Sequence, residues 1–188
     1  MKKYITELTD ILDVEFFQSI AKTLVTDKWL SLSDPEALRK FTDTMPVSVL
    51  NHPYLIEVKL KYPSLSNQIK FMKSTAGSWP VHTDSHRRCA INIPIANTKD
   101  TITSFYTGGT PVAHIDAEFG NTHNVWYSNE YLTYIINAKK DFDHVLQIPT
   151  IVNTTMPHGI VNSGTRPRII CSWAFTTSYE EACGELNV

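Results

Sequence analysis

His82 and Asp84 stand two residues apart in the stretch Trp79-Pro-Val-His82-Thr-Asp84-Ser-His86-Arg-Arg88-Cys-Ala-Ile-Asn92-Ile-Pro-Ile95. On an extended strand that spacing points both side chains the same way. One imidazole and one carboxylate on the same side are two thirds of the two-histidine, one-carboxylate set that holds a divalent metal with positions left open. Carried along the stretch, the alternation predicts a polar face of His82, Asp84, His86, Arg88, Ala90 and Asn92. The opposite face, Cys89, Ile91, Ile93 and Ile95, is apolar and should enter the core. A polar face in the middle of a domain must line a cavity, because buried polar groups need partners. Taken alone, the pattern reads better as a surface turn in which Asp84 pairs with His86 or an arginine.

A second stretch changes the balance. It runs Met156-Pro-His158-Gly-Ile-Val-Asn162-Ser-Gly-Thr-Arg166-Pro-Arg168-Ile-Ile-Cys-Ser172-Trp-Ala-Phe175. A turn at Ser163-Gly164 separates His158 from a strong final strand. On that strand Arg168, Ile170, Ser172 and Ala174 share one face, and Ile169, Cys171, Trp173 and Phe175 the other. The bulky face should pack beneath helices. The face with Arg168 has small or polar neighbours and room for a ligand. An inward guanidinium is costly without an anion, and its fork matches a carboxylate. A structural ion pair to Asp or Glu explains an isolated Arg168 equally well.

The elements that must position these residues follow from composition and pattern. The chain has 188 residues, 42% hydrophobic and 11% aromatic, which suits one compact domain with a real core. Its 17 basic and 19 acidic residues leave a net charge of −2, with no basic surplus for sequence-independent nucleic-acid binding. No apolar run reaches membrane-spanning length, and the start of the chain does not read as a signal peptide. Three widely spaced cysteines, Cys89, Cys171 and Cys183, form neither a zinc pattern nor a disulfide framework, so the expectation is a reduced, cytoplasmic protein.

Residues 1–66 read as mostly helical support. Asp13 caps a segment with Phe16, Phe17, Ile20, Ala21 and Leu24 at helical spacing. Asp34-Pro35 opens a second helix with Leu38 and Phe41 as its stripe. Residues 54–61 fit helix or strand, and Pro63 ends them. Residues 67–176 carry short β-type runs broken by turn signals, with strands expected at 68–73, 88–95, 101–106, 111–116, 123–127, 131–136, 144–149, 158–162 and 168–175. The sum is a mainly β chain with covering helices, a jelly roll under an N-terminal helical layer. Residues 177–188 read as a surface tail.

His82-x-Asp84, then His158, then Arg168, each next to an expected strand, resembles the 2-oxoglutarate/Fe(II)-dependent oxygenase superfamily, whose fold is the double-stranded β-helix. His86-Arg-Arg-Cys-Ala-Ile-Asn-Ile-Pro94 and Pro157-His-Gly-Ile-Val-Asn162 most resemble its aspartyl/asparaginyl β-hydroxylase-like branch and small viral or bacterial relatives. The resemblance covers roughly residues 68–175. It implies that His82, Asp84 and His158 hold Fe(II) and that Arg168 binds the distal carboxylate of 2-oxoglutarate. It further implies consumption of O2, release of succinate and CO2, and hydroxylation of an amino-acid side chain, free or in a peptide or protein. Some members of that branch lack the carboxylate ligand that Asp84 supplies here.

Strand parity adds Arg88, Asn92, Tyr106 and Ser172 as residues for the co-substrate pocket. Trp79, His123 and Trp126 are candidates for its substrate wall, with 107–143 forming much of the mouth. Arg166 competes with Arg168 for the anion, and His114-Ile-Asp116 is a rival His-x-Asp pair, ranked second because few strands separate it from His158. His52, His144, and Cys89 with Cys171 take bland readings as helix-start, strand-start and core residues. Two other functions fit the same chain. A cupin-like metal enzyme would use the ligands without 2-oxoglutarate and give Arg168 no role. A non-catalytic jelly-roll binding module would leave His82, Asp84 and His158 apart.

Overall fold

A computed structural model describes residues 3–24, 39–41, 46–112 and 132–188. Its strands are β1 (Ile5–Glu7), β2 (Arg39–Phe41), β3 (Leu65–Ser74), β4 (Gly77–Asp84), β5 (Cys89–Ala96), β6 (Thr101–Thr107), β7 (Thr110–Val112), β8 (Leu132–Ile136), β9 (Lys139–Val145), β10 (Thr150–Asn153), β11 (His158–Asn162) and β12 (Arg168–Phe175). Its helices are α1 (Val14–Leu24), α2 (Val47–Leu50), α3 (Pro53–Lys61) and α4 (Tyr179–Glu185). The described strands form two antiparallel sheets, ordered β1-β10-β5-β12-β3-β2 and β7-β8-β4-β11-β6-β9. From β3 to β6, and again from β9 to β12, each strand lies in the sheet opposite its predecessor. That interleaving is the jelly-roll winding expected from the sequence.

The main hydrophobic core lies on the outer face of the first sheet. Ile91 and Ile93 of β5, Cys171 and Trp173 of β12, and Phe71 of β3 are fully buried there. Phe17 and Ala21 of α1, Leu55 and Val58 of α3, and Tyr179 and Ala182 of α4 cover them. The apolar faces expected for the two strong strands are therefore the helix-packed faces. Asp13 caps α1, its Oδ1 accepting the Phe16 N–H at 3.1 Å. The ambiguous segment 54–61 is helix α3. Its cap is His52, whose Nδ1 accepts the Tyr54 N–H, with Pro53 at the first helical position.

Several expectations are corrected. Residues 79–95 are not one strand: β4 ends at Asp84, and β5 starts at Cys89 in the other sheet. The four residues between them change sheets. Asn92 still shares the inner face with His82 and Asp84, and Cys89, Ile91 and Ile93 the helix-packed one, as alternation predicts, but residues 85–88 in the link lie outside any strand. Residues before 66 supply the edge strands β1 and β2 as well as helices, and Phe41 sits in β2 rather than on a helix. The Asp34-Pro35 helix start and Leu38 lie outside the described residues. The strand expected at 144–149 runs instead from Lys139 to Val145 and is followed by β10. Its charged Lys-Lys-Asp start masks a strand because β9 is a sheet edge, where lysines blunt further pairing. The expected strand 123–127 lies outside the described residues, as do positions 113–116.

The expected surface tail is helix α4. Ser178 and Glu181 form a capping box, and Tyr179, Ala182 and Leu186 are buried. That Ser-x-x-Glu signal was present in the sequence.

Candidate metal centre

The inner faces of the two sheets carry the chemistry. On the second sheet His158 of β11 is the register partner of His82 on β4 and of Phe105 on β6. The two imidazoles are stacked obliquely, with ring centroids 4.4 Å apart. Asp84 follows on the same face of β4, with Oδ1 3.8 Å from His82 Nε2. The potential ligand atoms of His82, Asp84 and His158 all lie within 4.8 Å of one another, and His82 and His158 are buried.

Both tautomers are set locally. His82 Nδ1 lies 2.7 Å from the Pro80 carbonyl and His158 Nδ1 lies 2.9 Å from the Met156 carbonyl. A carbonyl only accepts, so each Nδ1 carries the proton and each Nε2 presents a lone pair. Such second-sphere carbonyl bonds orient metal-binding histidines. Burial alone would raise the Asp84 carboxyl, but the charge and hydrogen bond of Arg87 hold it below the usual carboxylate range. Two neutral nitrogen donors and a carboxylate fit a divalent transition metal. Ligands at roughly 2.1 Å from one ion stand at most about 4.2 Å apart, so the cluster closes on an ion with small side-chain shifts.

Arg168 is 3% exposed and lies on the inner face of β12, opposite Ser74 of β3. Arg166 is exposed. Around the space between the sheets sit further buried polar groups: Thr103, His144 and Asn162 on the second sheet. Among the described residues, His144 Nε2 and Asn92 Oδ1 are buried without a hydrogen-bond partner. Burial pushes the His144 imidazole below its ordinary pKa, opposed by Glu7 and assisted by the charge of Arg168. Cys89 and Cys171 offer no nucleophile: burial drives Cys89 up to about 12 and Cys171 higher still.

The remaining sequence candidates divide. Asn92 is on the inner face, paired in register with Ser172 and Thr150. Trp79 stands edge-on to His82 at 6.4 Å. Ser172 is buried on the inner face, and its hydroxyl accepts from Arg87. Arg88 is exposed, in the link between β4 and β5 rather than on a strand, and its charge helps to lower the Glu181 carboxyl of α4. Tyr106 lies on the face of β6 opposite Phe105, beside Lys140. His123, Trp126 and the rival pair His114 and Asp116 lie outside the described residues.

Sequence reasoning missed Arg87. Its Nε donates to Asp84 Oδ2 at 2.5 Å and its Nη1 to Ser172 Oγ at 2.8 Å. The sequence offered a turn pairing Asp84 with His86 or an arginine only as the alternative to a metal site; here the link between β4 and β5 pairs Asp84 with Arg87 beside the histidines.

No protein-family model and no curated protein matches the chain. Solved structures do. The chain is similar to the non-heme alpha-ketoglutarate-dependent epimerase SnoN from nogalamycin biosynthesis, at 12% identity over 92% of this chain and 79% of that one, with a TM-score of 0.50. It also matches the alpha-ketoglutarate-dependent carbocyclase SnoK of the same biosynthesis (10% identity, 91% and 78% coverage, TM-score 0.49). A third match is a Pseudomonas putida prolyl-4-hydroxylase (9% identity, 93% of both chains, TM-score 0.48). At these identities the likeness to SnoN shows the fold, a mainly β jelly roll of two antiparallel sheets. Among the described residues no helix is long and apolar enough to cross a membrane.

Proposed function

We propose that the protein is an Fe(II)- and 2-oxoglutarate-dependent oxygenase. The observation that carries this reading is the convergence of His82, Asp84 and His158 between the sheets, with both Nε2 lone pairs presented. His82, Asp84 and His158 would hold the iron and leave one side of it open. Arg168, buried on the inner face of β12, would take the distal carboxylate of 2-oxoglutarate as a bidentate pair. Asn92, on the same face of the first sheet, would add a polar contact, and Trp79 would wall the site beside His82. Bound there, Fe(II) supplies the redox chemistry that couples O2 and 2-oxoglutarate to substrate oxidation, with release of succinate and CO2. The protein's own work is to position both carboxylates and exclude water.

As substrate we favour an amino-acid side chain, free or in a peptide or protein, hydroxylated at carbon. That choice rests on the likeness of His86–Pro94 and Pro157–Asn162 to the β-hydroxylase-like branch. The substrate candidates His123 and Trp126 rest on sequence alone. A single domain in the cytoplasm agrees with three free thiols.

The test is anaerobic titration of metal-free protein with Fe(II) and then 2-oxoglutarate, following the weak visible charge-transfer absorbance of a chelated keto acid. A saturable band that vanishes in His82→Ala and persists in His114→Ala is expected. Metal binding with no band would favour a metal enzyme without 2-oxoglutarate. No metal binding would leave a binding module.

A further inference from the structure

We propose that Arg87 is a positioning residue for Asp84: by holding one carboxylate oxygen and bracing itself on Ser172, it leaves the other oxygen alone to face the metal. This rests on the metal-centre reading above.

The geometry is a fork between the two sheets. Arg87 Nε–H donates to Asp84 Oδ2 at 2.5 Å, and Arg87 Nη1–H donates to Ser172 Oγ at 2.8 Å. Asp84 belongs to β4 and Ser172 to β12 of the facing sheet. The second oxygen, Asp84 Oδ1, is the one 3.8 Å from His82 Nε2. The side chains of Asp84 and Arg87 are 7% and 23% exposed, so water competes weakly for the pair.

The backbone under the fork is fixed as well. Thr154, buried, donates its hydroxyl to the Arg87 carbonyl at 2.6 Å and its N–H to the Arg88 carbonyl at 3.1 Å. Its own carbonyl accepts the Asp84 N–H at 3.0 Å. One residue thus holds both the ligand and its clamp in register.

The consequence concerns denticity. A carboxylate with two free oxygens can occupy two positions on an ion. Oδ2 committed to a guanidinium leaves Oδ1 as a single donor, which keeps the remaining positions open for co-substrate and oxygen. A guanidinium fork can serve Asp84 and Ser172 together in one plane, which a lysine ammonium cannot.

Charge and positioning predict opposite signs. If Arg87 were merely a cation near the site, removing it would tighten the binding of a divalent ion. If it positions Asp84, removing it weakens binding, by about 10- to 100-fold as for other second-sphere partners. The experiment is Co(II) titration of metal-free protein, read by calorimetry and by the visible absorbance of bound Co(II), which reports coordination number. Arg87→Gln is expected to weaken Co(II) by about that factor and to change the absorbance. Arg87→Lys is expected not to restore it. Ser172→Ala, which removes only a hydroxyl, is expected to give a smaller loss of the same sign with the fold intact.

Unchanged or tighter binding and an unaltered spectrum in Arg87→Gln would overturn the proposal. Should that variant not fold, wild-type Co(II) affinity and absorbance in Ser172→Ala would overturn it alone. Wild-type protein that binds no Co(II) would remove the metal centre itself, and the clamp with it.

Discussion

His82 and His158 are register partners on neighbouring antiparallel strands, and each donates its Nδ1 proton to the carbonyl two residues before it. The same local bond is used twice, so both rings present Nε2 to the same space. A metal site built this way depends on strand pairing as much as on ligand identity. His82→Ala and His158→Ala are each expected to weaken Fe(II) or Co(II) by roughly 100-fold, about a quarter of the binding energy of a four-ligand protein site. Calorimetric titration of metal-free variants checks this, with circular dichroism as the control on folding.

Gly159 sits at the irregularity in pairing between His158 and Ile160. A Cβ there would stand 3.1 Å from the Trp79 carbonyl oxygen of β4, which is backbone and cannot swing aside. Gly159→Ala should therefore press β11 off β4, costing roughly 1–3 kcal/mol of stability as overpacking does. Because the pressure falls beside the His82–His158 pair, metal affinity should fall too. Denaturant unfolding and metal titration on the same variant give both readings.

Arg168 and Arg166 are separated by their burial. Arg168→Ala should leave metal affinity intact and weaken 2-oxoglutarate, by about 2–5 kcal/mol if a desolvated charge pair is lost. Arg166, exposed at the turn, should tolerate alanine without effect on either. Co-substrate titration of the metal-loaded variants distinguishes them.

His144 makes acid stability a readout of the cavity between the sheets. Its folded pKa lies below the ordinary 6.5, chiefly because burial disfavours the charged ring. The unfolded chain then binds the extra proton first, so the stabilising contribution is present above 6.5 and lost as pH falls below it. Metal-free protein should show a falling Tm between pH 7 and 5, and His144→Asn should flatten that slope. Asp84 acts in a separate window: its carboxyl is lowered, so its contribution is lost only in strong acid, below the ordinary 3.8.

Much of this site is written locally. The two-residue step from His82 to Asp84 puts both on one strand face wherever that strand lies, because side chains alternate with a period of two. The same period separates Arg168 and Ser172 from Cys171 and Trp173, and hydrophobicity decides which face meets the helices. Asp13 and Pro53 mark helix starts through their own backbone chemistry.

What the tertiary structure decided is which faces oppose one another. The link at 85–88 moves the chain between sheets, leaving Arg88 exposed and bringing Arg87 onto Asp84 and Ser172. The pairing of His158 with His82, the outward aim of Tyr106 and the burial of Arg168 depend on strand order and register between segments far apart in sequence. Local alternation fixes two faces for each strand. Only the winding of both sheets around a shared interior determines that the polar ones meet.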